Sequence, residues 1–255
     1  MIFRVDRTMT SLPSQRATLR QREEEVRTVV TVTRPAPIVV SSVDAQLTAL
    51  VRELPRGTSG RVIVGISGSP GSGKSTLARE LVRAIGPGAA YLPMDGFHLA
   101  DEQLARQGLL ERKGAPETFD AFGYARLLET LRARPQHTIY APDFDRRLEQ
   151  PLAGARAIEP SDDIIVTEGN YLMLPGDAWS AVRRQLDTAW HVVTESSLRQ
   201  RRLLARHVAF GKTPDAAVEW VRAVDEPNAR LIESREGAAD RILDLTGWEP
   251  GTDSP

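Results

Sequence analysis

The residues best placed to do chemistry in this 255-residue chain are Gly68-Ser-Pro-Gly-Ser-Gly73-Lys74-Ser75, followed by Thr76. Their spacing reads G-x-x-x-x-G-K-[ST], a loop whose backbone N–H groups turn inward onto phosphate oxygens. Lys74 would reach the β- and γ-phosphates of a nucleoside triphosphate. The Ser75 hydroxyl would hold Mg2+, and Thr76 would touch the α-phosphate. Gly68, Ser69, Gly71, Ser72, Gly73, Lys74, Ser75 and Thr76 form the expected nucleotide-binding set. The same letters also suit a plain glycine turn before a helix, so the flanks decide. Arg61-Val-Ile-Val-Gly-Ile-Ser67 is a short β-branched run, which predicts a buried strand. Thr76–Ile85 places Leu77, Leu81, Val82 and Ile85 on one helical face. Strand, glycine loop and helix N-terminus together make an anion site.

Further candidates sit at the ends of other apolar runs. Ala89–Met94 leads into Asp95-Gly-Phe-His98, and Asp162–Thr167 leads into Glu168-Gly-Asn-Tyr171. An acid at the carboxyl end of a strand is where an open α/β sheet places its ligand chemistry. A helix cap is the structural alternative for Asp95. Glu168, downstream of the glycine loop, fits an acid that orients Mg2+ directly or through water. Arg112-Lys-Gly-Ala-Pro-Glu117 is a charged loop without periodicity, and Lys113 and Glu117 in it are substrate candidates beside His98. Asp143, Asp145, Arg146 and Arg147 form a dense polar knot. As surface pairs they would contribute about 0–1 kcal/mol; as a site, Asp143 and Arg147 would hold an anionic or polyhydroxylated ligand. Ser196–Phe210 reads as a helix carrying Arg199, Arg202 and Arg206 on one face. Such a face is either solvated or a lid that closes on transferring phosphate.

Composition bounds what these groups can serve. The chain has 33 basic and 34 acidic residues, so it lacks the broad basic footprint of a nucleic-acid binder. It has no cysteine, which removes disulfides and thiolate metal sites. Four histidines, His98, His137, His191 and His207, are too widely spaced for a metal motif. No apolar run is long enough for a membrane span, and the start lacks a signal-peptide core. The expectation is a cytoplasmic protein with a small-molecule substrate and no nucleic-acid or membrane partner. Lys74, Lys113 and Lys212 are the only lysines among those 33 basic residues. A lysine is notable against that background, so Lys113 and Lys212 join Lys74 as candidates.

The length suits one sizeable α/β domain. Residues 1–42 read as an extended or disordered tail and linker, ending near Arg34-Pro-Ala-Pro37, or as a start placed too early. Residues 43–246 read as the domain and residues 247–255 as a second tail. Within the domain, Asp44–Leu54 predicts an amphipathic helix, Asp101–Gln107 a short one and Tyr124–Ala133 another with Leu127, Leu128 and Leu131 inward. Thr188–Thr194 and Ile242–Leu245 complete the strands, and a helix spans about Asp215–Ser234.

Gly68–Ser75, Met94-Asp-Gly-Phe-His98, Arg112-Lys-Gly-Ala-Pro-Glu-Thr-Phe-Asp120, Pro142-Asp-Phe-Asp145, Glu168-Gly-Asn-Tyr171 and Asp225-Glu-Pro-Asn-Ala-Arg230 occur in that order. The set resembles the P-loop small-molecule kinases that include uridine kinase, phosphoribulokinase and type I pantothenate kinase. It lies nearest the nucleoside/nucleotide kinase-like branch, which includes bacterial fructose kinases. The resemblance covers roughly residues 43–246. It implies the P-loop NTPase three-layer sandwich: a mostly parallel sheet, helices on both faces and a helical lid. It also implies ATP and Mg2+ as cofactors, a homodimer, and phosphorylation of a hydroxyl on a sugar, nucleoside or pantothenate-like acceptor. By the same resemblance Asp95 is the catalytic base beside Lys74. Glu168 joins Ser75 at the metal, Arg202 and Arg206 touch ATP phosphates, and Asn228 meets substrate or nucleotide. The pantothenate kinase lid pattern around Arg206 is incomplete here. A GTPase would need Asn-Lys-x-Asp, which is absent; Asp120-Ala-Phe-Gly123 matches D-x-x-G, a spacing common by chance. A nucleotide-switched ATPase without a small acceptor is the remaining alternative.

Overall fold

The computed structural model describes residue 36 and residues 38–39, 49–54 and 60–248. The rest of the expected tails, and residues 44–48 of the expected first helix, lie outside the described residues. Residues 49–52 are helical.

Val62–Gly68 (β2) is buried at every position. A parallel strand covered on both faces must be apolar throughout, and this one is built from Val62, Ile63, Val64 and Ile66. Ile63 packs with Leu92, Tyr124, Leu128, Ile165 and Trp179 on one face. Val62, Val64 and Ile66 pack with Leu77, Leu81, Trp190 and Leu243 on the other. This period-two division creates two cores and three layers. The sheet also contains Ile38–Val39 (β1), Ala89–Pro93 (β3), Ile164–Glu168 (β6), Thr188–Val193 (β7) and Arg241–Asp244 (β8). Its strand order is β1-β8-β7-β2-β6-β3, and every pairing is parallel. Lys74–Ile85 (α1) covers the second face through Leu77 and Leu81. Ala121–Arg132 (α3) and Asp177–Arg183 (α4) cover the first through Tyr124, Leu128, Trp179 and Val182. The short helix Asp101–Gln107 (α2) precedes the loop that carries Lys113.

The hairpin of Ile139–Asp145 (β4) and Gln150–Ile158 (β5) was not expected from sequence. It forms its own antiparallel sheet with an irregular register between Ala141 and Asp143. Most of β5 is exposed or half-exposed, and Pro151 and Gly154 interrupt any alternating pattern. Two boundaries also differ. Ile38 and Val39, placed in the tail by sequence, pair with Leu243 and Asp244. Trp248, placed in the second tail, is 3% exposed and joins the core beneath β8. After β7 the chain is helical from Ser196 to Ala209 (α5). It resumes as Pro214–Trp220 (α6), a π-helical turn at Val221–Asp225, and Glu226–Glu233 (α7).

Arg61 closes the end of β2 remote from the glycine loop. Its side chain is fully buried and donates to the carbonyls of Asp162 at 2.7 Å and Leu131 at 3.3 Å, and to that of Glu159. Burial holds this guanidinium below its ordinary value, with the Asp162 charge opposing. Arg61→Met leaves those carbonyls without their donor. The expected loss of stability is about 2–4 kcal/mol by urea titration. ATP affinity should be unchanged, since the glycine loop lies at the opposite end of the strand. Unchanged stability would contradict this role.

Candidate active site

The glycine loop takes its shape from backbone sterics. Gly71 has φ 80° and Gly73 φ 92°, left-handed values that favour glycine. A Cβ on Gly71 would also lie 2.8 Å from the Arg199 carbonyl oxygen and 2.9 Å from Leu203 Cγ of α5. The loop is thus pressed against α5 at Gly71. Arg199, 2% exposed, donates to the Pro70 carbonyl at 3.3 Å and pairs with Glu226 at 2.5 Å. The Ser69 hydroxyl donates to Glu233 of α7 at 3.1 Å, so this side chain anchors the loop. Thr194 donates to the Ser72 carbonyl at 2.8 Å. Gly68 allows close packing: its Cβ would stand 2.7 Å from Ser72 Oγ.

Below the loop, α1 starts at Lys74 with Gly73 as its cap. No side chain caps it, and its first turn carries no acid. Helices α3, α5 and α6, by contrast, are capped by Asp120, Glu195 and Thr213. That use of Asp120, which accepts from the Gly123 N–H, explains the D-x-x-G match as a helix cap. The uncapped amides of α1, with Lys74 and the left-handed glycines, fit a polyphosphate.

The acids stand where sheet register puts them. Glu168 is level with Ile66 on β2 and with Pro93 on β3. It accepts from Tyr91 Oη at 2.7 Å and is hydrogen-bonded by Ser75. Burial pushes Glu168 up, opposed mainly by the Lys74 charge. Burial likewise pulls Lys74 down, opposed by Glu168 and Asp95. An oxygen pair from Ser75 and Glu168 beside a phosphate loop is a donor set suited to Mg2+.

Asp95 follows β3 in a 3-10 turn and caps nothing by its side chain. Burial alone would raise its carboxyl, but His98 (when protonated), Arg146, Lys74 and Arg206 outweigh that and hold it below the usual carboxylate range. Burial also holds His98 below its ordinary value, with Asp95 opposing. Arg146 donates to Asp95 Oδ2 at 3.1 Å. His98 Nδ1 lies 2.8 Å from the Asp95 carbonyl oxygen, which can only accept. Nδ1 thus carries the proton in the neutral ring, and Nε2 is an acceptor.

Two cavities meet here. One of about 240 Å3 is lined by Gly71, Gly73, Thr76, Tyr91, Glu168 and Arg202. The other, about 480 Å3, is lined by His98, Lys113, Phe144, Asn170, Trp220 and Asn228, among others. Lys74, Ser75, Asp95, Arg146 and Arg206 border both. Of the proposed substrate residues, His98, Lys113 and Asn228 therefore reach the larger cavity. Lys113 pairs there with Asp101 at 2.5 Å. Asp143 lies on the smaller one and pairs with Arg156 at 2.6 Å. Glu117 pairs outside both cavities with Arg112 at 2.5 Å. Arg147 is 88% exposed and faces Asp145 at 3.7 Å, so Arg146 occupies the place proposed for it. The turn joining β4 to β5 decides which arginine points inward, and sequence does not reveal that. Tyr91, sequence-silent on a predicted strand, carries Arg79 and Arg156 over its ring, each 5.3 Å from the centroid. Arg199 was grouped with Arg202 and Arg206 by spacing, but its neighbours make it a brace. Arg202 lies over the loop, its Nη1 3.5 Å from where a Gly73 Cβ would stand.

A lysine-bearing phosphate loop, acids on the adjoining strand ends and arginines from a helix laid across them define a P-loop kinase. No protein-family model matches the chain. A candidate uridine kinase of Schizosaccharomyces pombe is 32% identical over 194 residues, 72% of this chain and 83% of the yeast protein. An ATP-dependent kinase-like protein of Aspergillus versicolor is 37% identical over 131 residues, 49% of this chain and 76% of the relative. A solved candidate fructose transport system kinase from Silicibacter superposes with a TM-score of 0.72 at 36% identity, over 82% of this chain and 99% of that one. The chain belongs to the P-loop nucleoside/nucleotide kinase-like family. It is an ATP-dependent phosphotransferase with an alcohol group as acceptor, in a family whose substrates are small metabolites. No helix among the described residues is long and apolar enough to cross a membrane.

The depressed His98 pKa has a sign. Unfolded, the ring takes its proton as pH falls through about 6.5; folded, it resists to lower pH. Folding stability contributed by the neutral ring is therefore lost as pH drops below about 6.5. Replacing His98 with Gln should flatten that decline by at most about 1.4 kcal/mol per pH unit. Urea midpoints at pH 7.5, 6.5 and 5.5 measure it, and an unaltered slope would contradict the assignment.

Proposed function

We propose that this kinase transfers the γ-phosphoryl group of ATP to a hydroxyl of a polar metabolite held in the 480 Å3 cavity. One observation carries the reading: Asp95 stands at the boundary between the phosphate-side cavity and the larger one. A base there reaches an acceptor hydroxyl on one side while Lys74 holds phosphate on the other. Its depressed pKa keeps it ionised and able to accept a hydrogen bond from the hydroxyl. Arg146 orients the carboxylate. The proton moves to Asp95 late, as the oxygen bonds to phosphorus, because phosphoryl transfer relies on alignment and charge neutralisation.

Arg202 and Arg206 supply further positive charge at the phosphates. Burial lowers the Arg206 pKa, with Arg146 adding to that and Asp225 and Asp95 opposing. Bound Mg2+ would neutralise phosphate charge, and Ser75 and Glu168 are the residues to hold it. Tyr91, its hydroxyl raised by burial and by the Glu168 charge, stays protonated and fixes that carboxylate. On the acceptor side, His98 Nε2 and Asn228 would meet the other polar groups of the substrate. The names of the relatives set the panel to test: uridine, fructose and pantothenate.

ADP release is measured with Mg2+ and ATP against sugars, nucleosides and pantothenate, for the wild type and Asp95→Asn. Stimulation by an acceptor is expected, with kcat in the variant lower by roughly 10²–10⁴-fold. ATP affinity should move far less. A variant with full turnover would remove Asp95 from the mechanism. Steady ATP turnover indifferent to every acceptor would favour the switch reading.

A further inference from the structure

The three lysines of this arginine-rich chain, Lys74, Lys113 and Lys212, all line the larger cavity. Two have evident work: Lys74 at the phosphates, and Lys113 tying Asp101 and the Glu149 carbonyl together across the loop. Lys212 makes no ion pair among the described residues. Its ammonium lies 4.1 Å from the centroid of the Trp220 ring.

Its backbone is fixed. The chain leaves α5 through Gly211 at φ 96°; the Gly211 N–H donates to Val208 O at 3.0 Å and the Lys212 N–H to His207 O at 3.0 Å. This double closure is a Schellman motif. One residue later Thr213 caps α6 by accepting from the Ala216 N–H. Lys212 is therefore pinned between a helix end and a helix start, and its side chain is laid over an aromatic face turned into the cavity. His207, edge-on to Trp220 at 6.4 Å, donates from Nε2 to Asp225 Oδ2 at 2.8 Å, where the π-helical turn ends. Three carboxylates of this cavity have cationic or imidazole partners: Asp95 has Arg146, Asp101 has Lys113 and Asp225 has His207; Glu149 lines it as well, held to Lys113 only through its carbonyl. Five cationic side chains, Lys74, Lys113, Arg146, Arg206 and Lys212, line the cavity against the four carboxylates Asp95, Asp101, Glu149 and Asp225, so its balance of charge is positive.

We propose that Lys212 on Trp220 forms a subsite for an anionic group of the acceptor. The acceptor is then a small hydroxylated acid, whose carboxylate or phosphate meets Lys212 while its hydroxyl faces Asp95. This rests on the kinase reading of the cavity. It favours acids over neutral sugars and nucleosides of the same skeleton. An ammonium already stacked on an aromatic ring loses little freedom on binding, which suits it to fix orientation.

Matched pairs differing only in the anion test it: glycerate and glycerol, gluconate and glucitol, pantothenate and pantothenol, fructose 6-phosphate and fructose. Each is measured by ADP release and by calorimetric titration, for the wild type, Lys212→Gln and Lys212→Arg. The wild type should prefer the charged member of at least one pair, and which pair responds separates carboxylate from phosphate. In Lys212→Gln that preference should fall roughly 10- to 100-fold, mostly in KM, with partial recovery in Lys212→Arg. Phosphorylation of neutral members alone, or a preference untouched by Lys212→Gln, would overturn the subsite and leave the kinase reading standing. Charge-selective, Lys212-dependent binding without ADP release would support the subsite and contradict Asp95-based transfer. Absence of both binding and turnover throughout the panel would count against both.

Discussion

The site depends on the parallel register of three neighbouring strands. Hydrogen bonding sets Ile66 of β2, Glu168 of β6 and Pro93 of β3 level with one another. The candidate groups lie on that line or just beyond it: Glu168 on it at the tip of β6, the glycine loop after β2 and Asp95 two residues after Pro93. Slipping β6 by one residue would turn Glu168 to the opposite face of the sheet. The apolar faces prevent such slippage, because Ile63 belongs to one core and Val62 and Val64 to the other.

A second constraint holds the lid helix. Arg199 joins the glycine loop to α7 through Pro70 and Glu226, and Ser69 repeats the connection through Glu233. The Arg199 carbonyl and Leu203 occupy the space a side chain at Gly71 would need. The base of α5 is therefore continuous with the phosphate loop. Arg202 and Arg206 lie further along the same helix, over the cavities. Motion of this helix relative to the loop would have to break buried hydrogen bonds at its base, so any closure belongs to its far half and to α6.

How much of this could be read beforehand depends on where each signal resides. The glycine loop, Asp95 and Glu168 were legible because each is a short local pattern at the end of an apolar run. Burial on both faces made those runs continuous. The β4–β5 hairpin was not legible, since its strands bury little and alternate poorly. Arg146 and Arg147 are chemically identical neighbours, and only the turn between β4 and β5 aims the first at Asp95. Arg199, Arg202 and Arg206 share a helical face, but contact with Pro70 and Glu226 makes one a brace. Lys212 was marked by rarity alone and Lys113 by rarity and its place in a charged loop, and the structure brings both to the cavity that holds Asp95. The seam between domain and tails was drawn too narrowly, because two-residue β1 and the isolated Trp248 carry no periodicity.

Charge arrangement unites these features. Lys74, Arg146 and Arg206 lie around Asp95 and, together with His98 when protonated, hold its carboxyl below the usual range despite burial. The same cations face the place where a γ-phosphoryl group would arrive, so phosphate binding and the ionisation of Asp95 would share one field. The most direct measurement of the central claim is phosphorus-31 NMR of a reaction containing the protein, ATP, Mg2+ and an accepted hydroxylated metabolite. The account predicts a phosphomonoester signal growing in step with ADP, with little inorganic phosphate. ADP accompanied only by inorganic phosphate would contradict it.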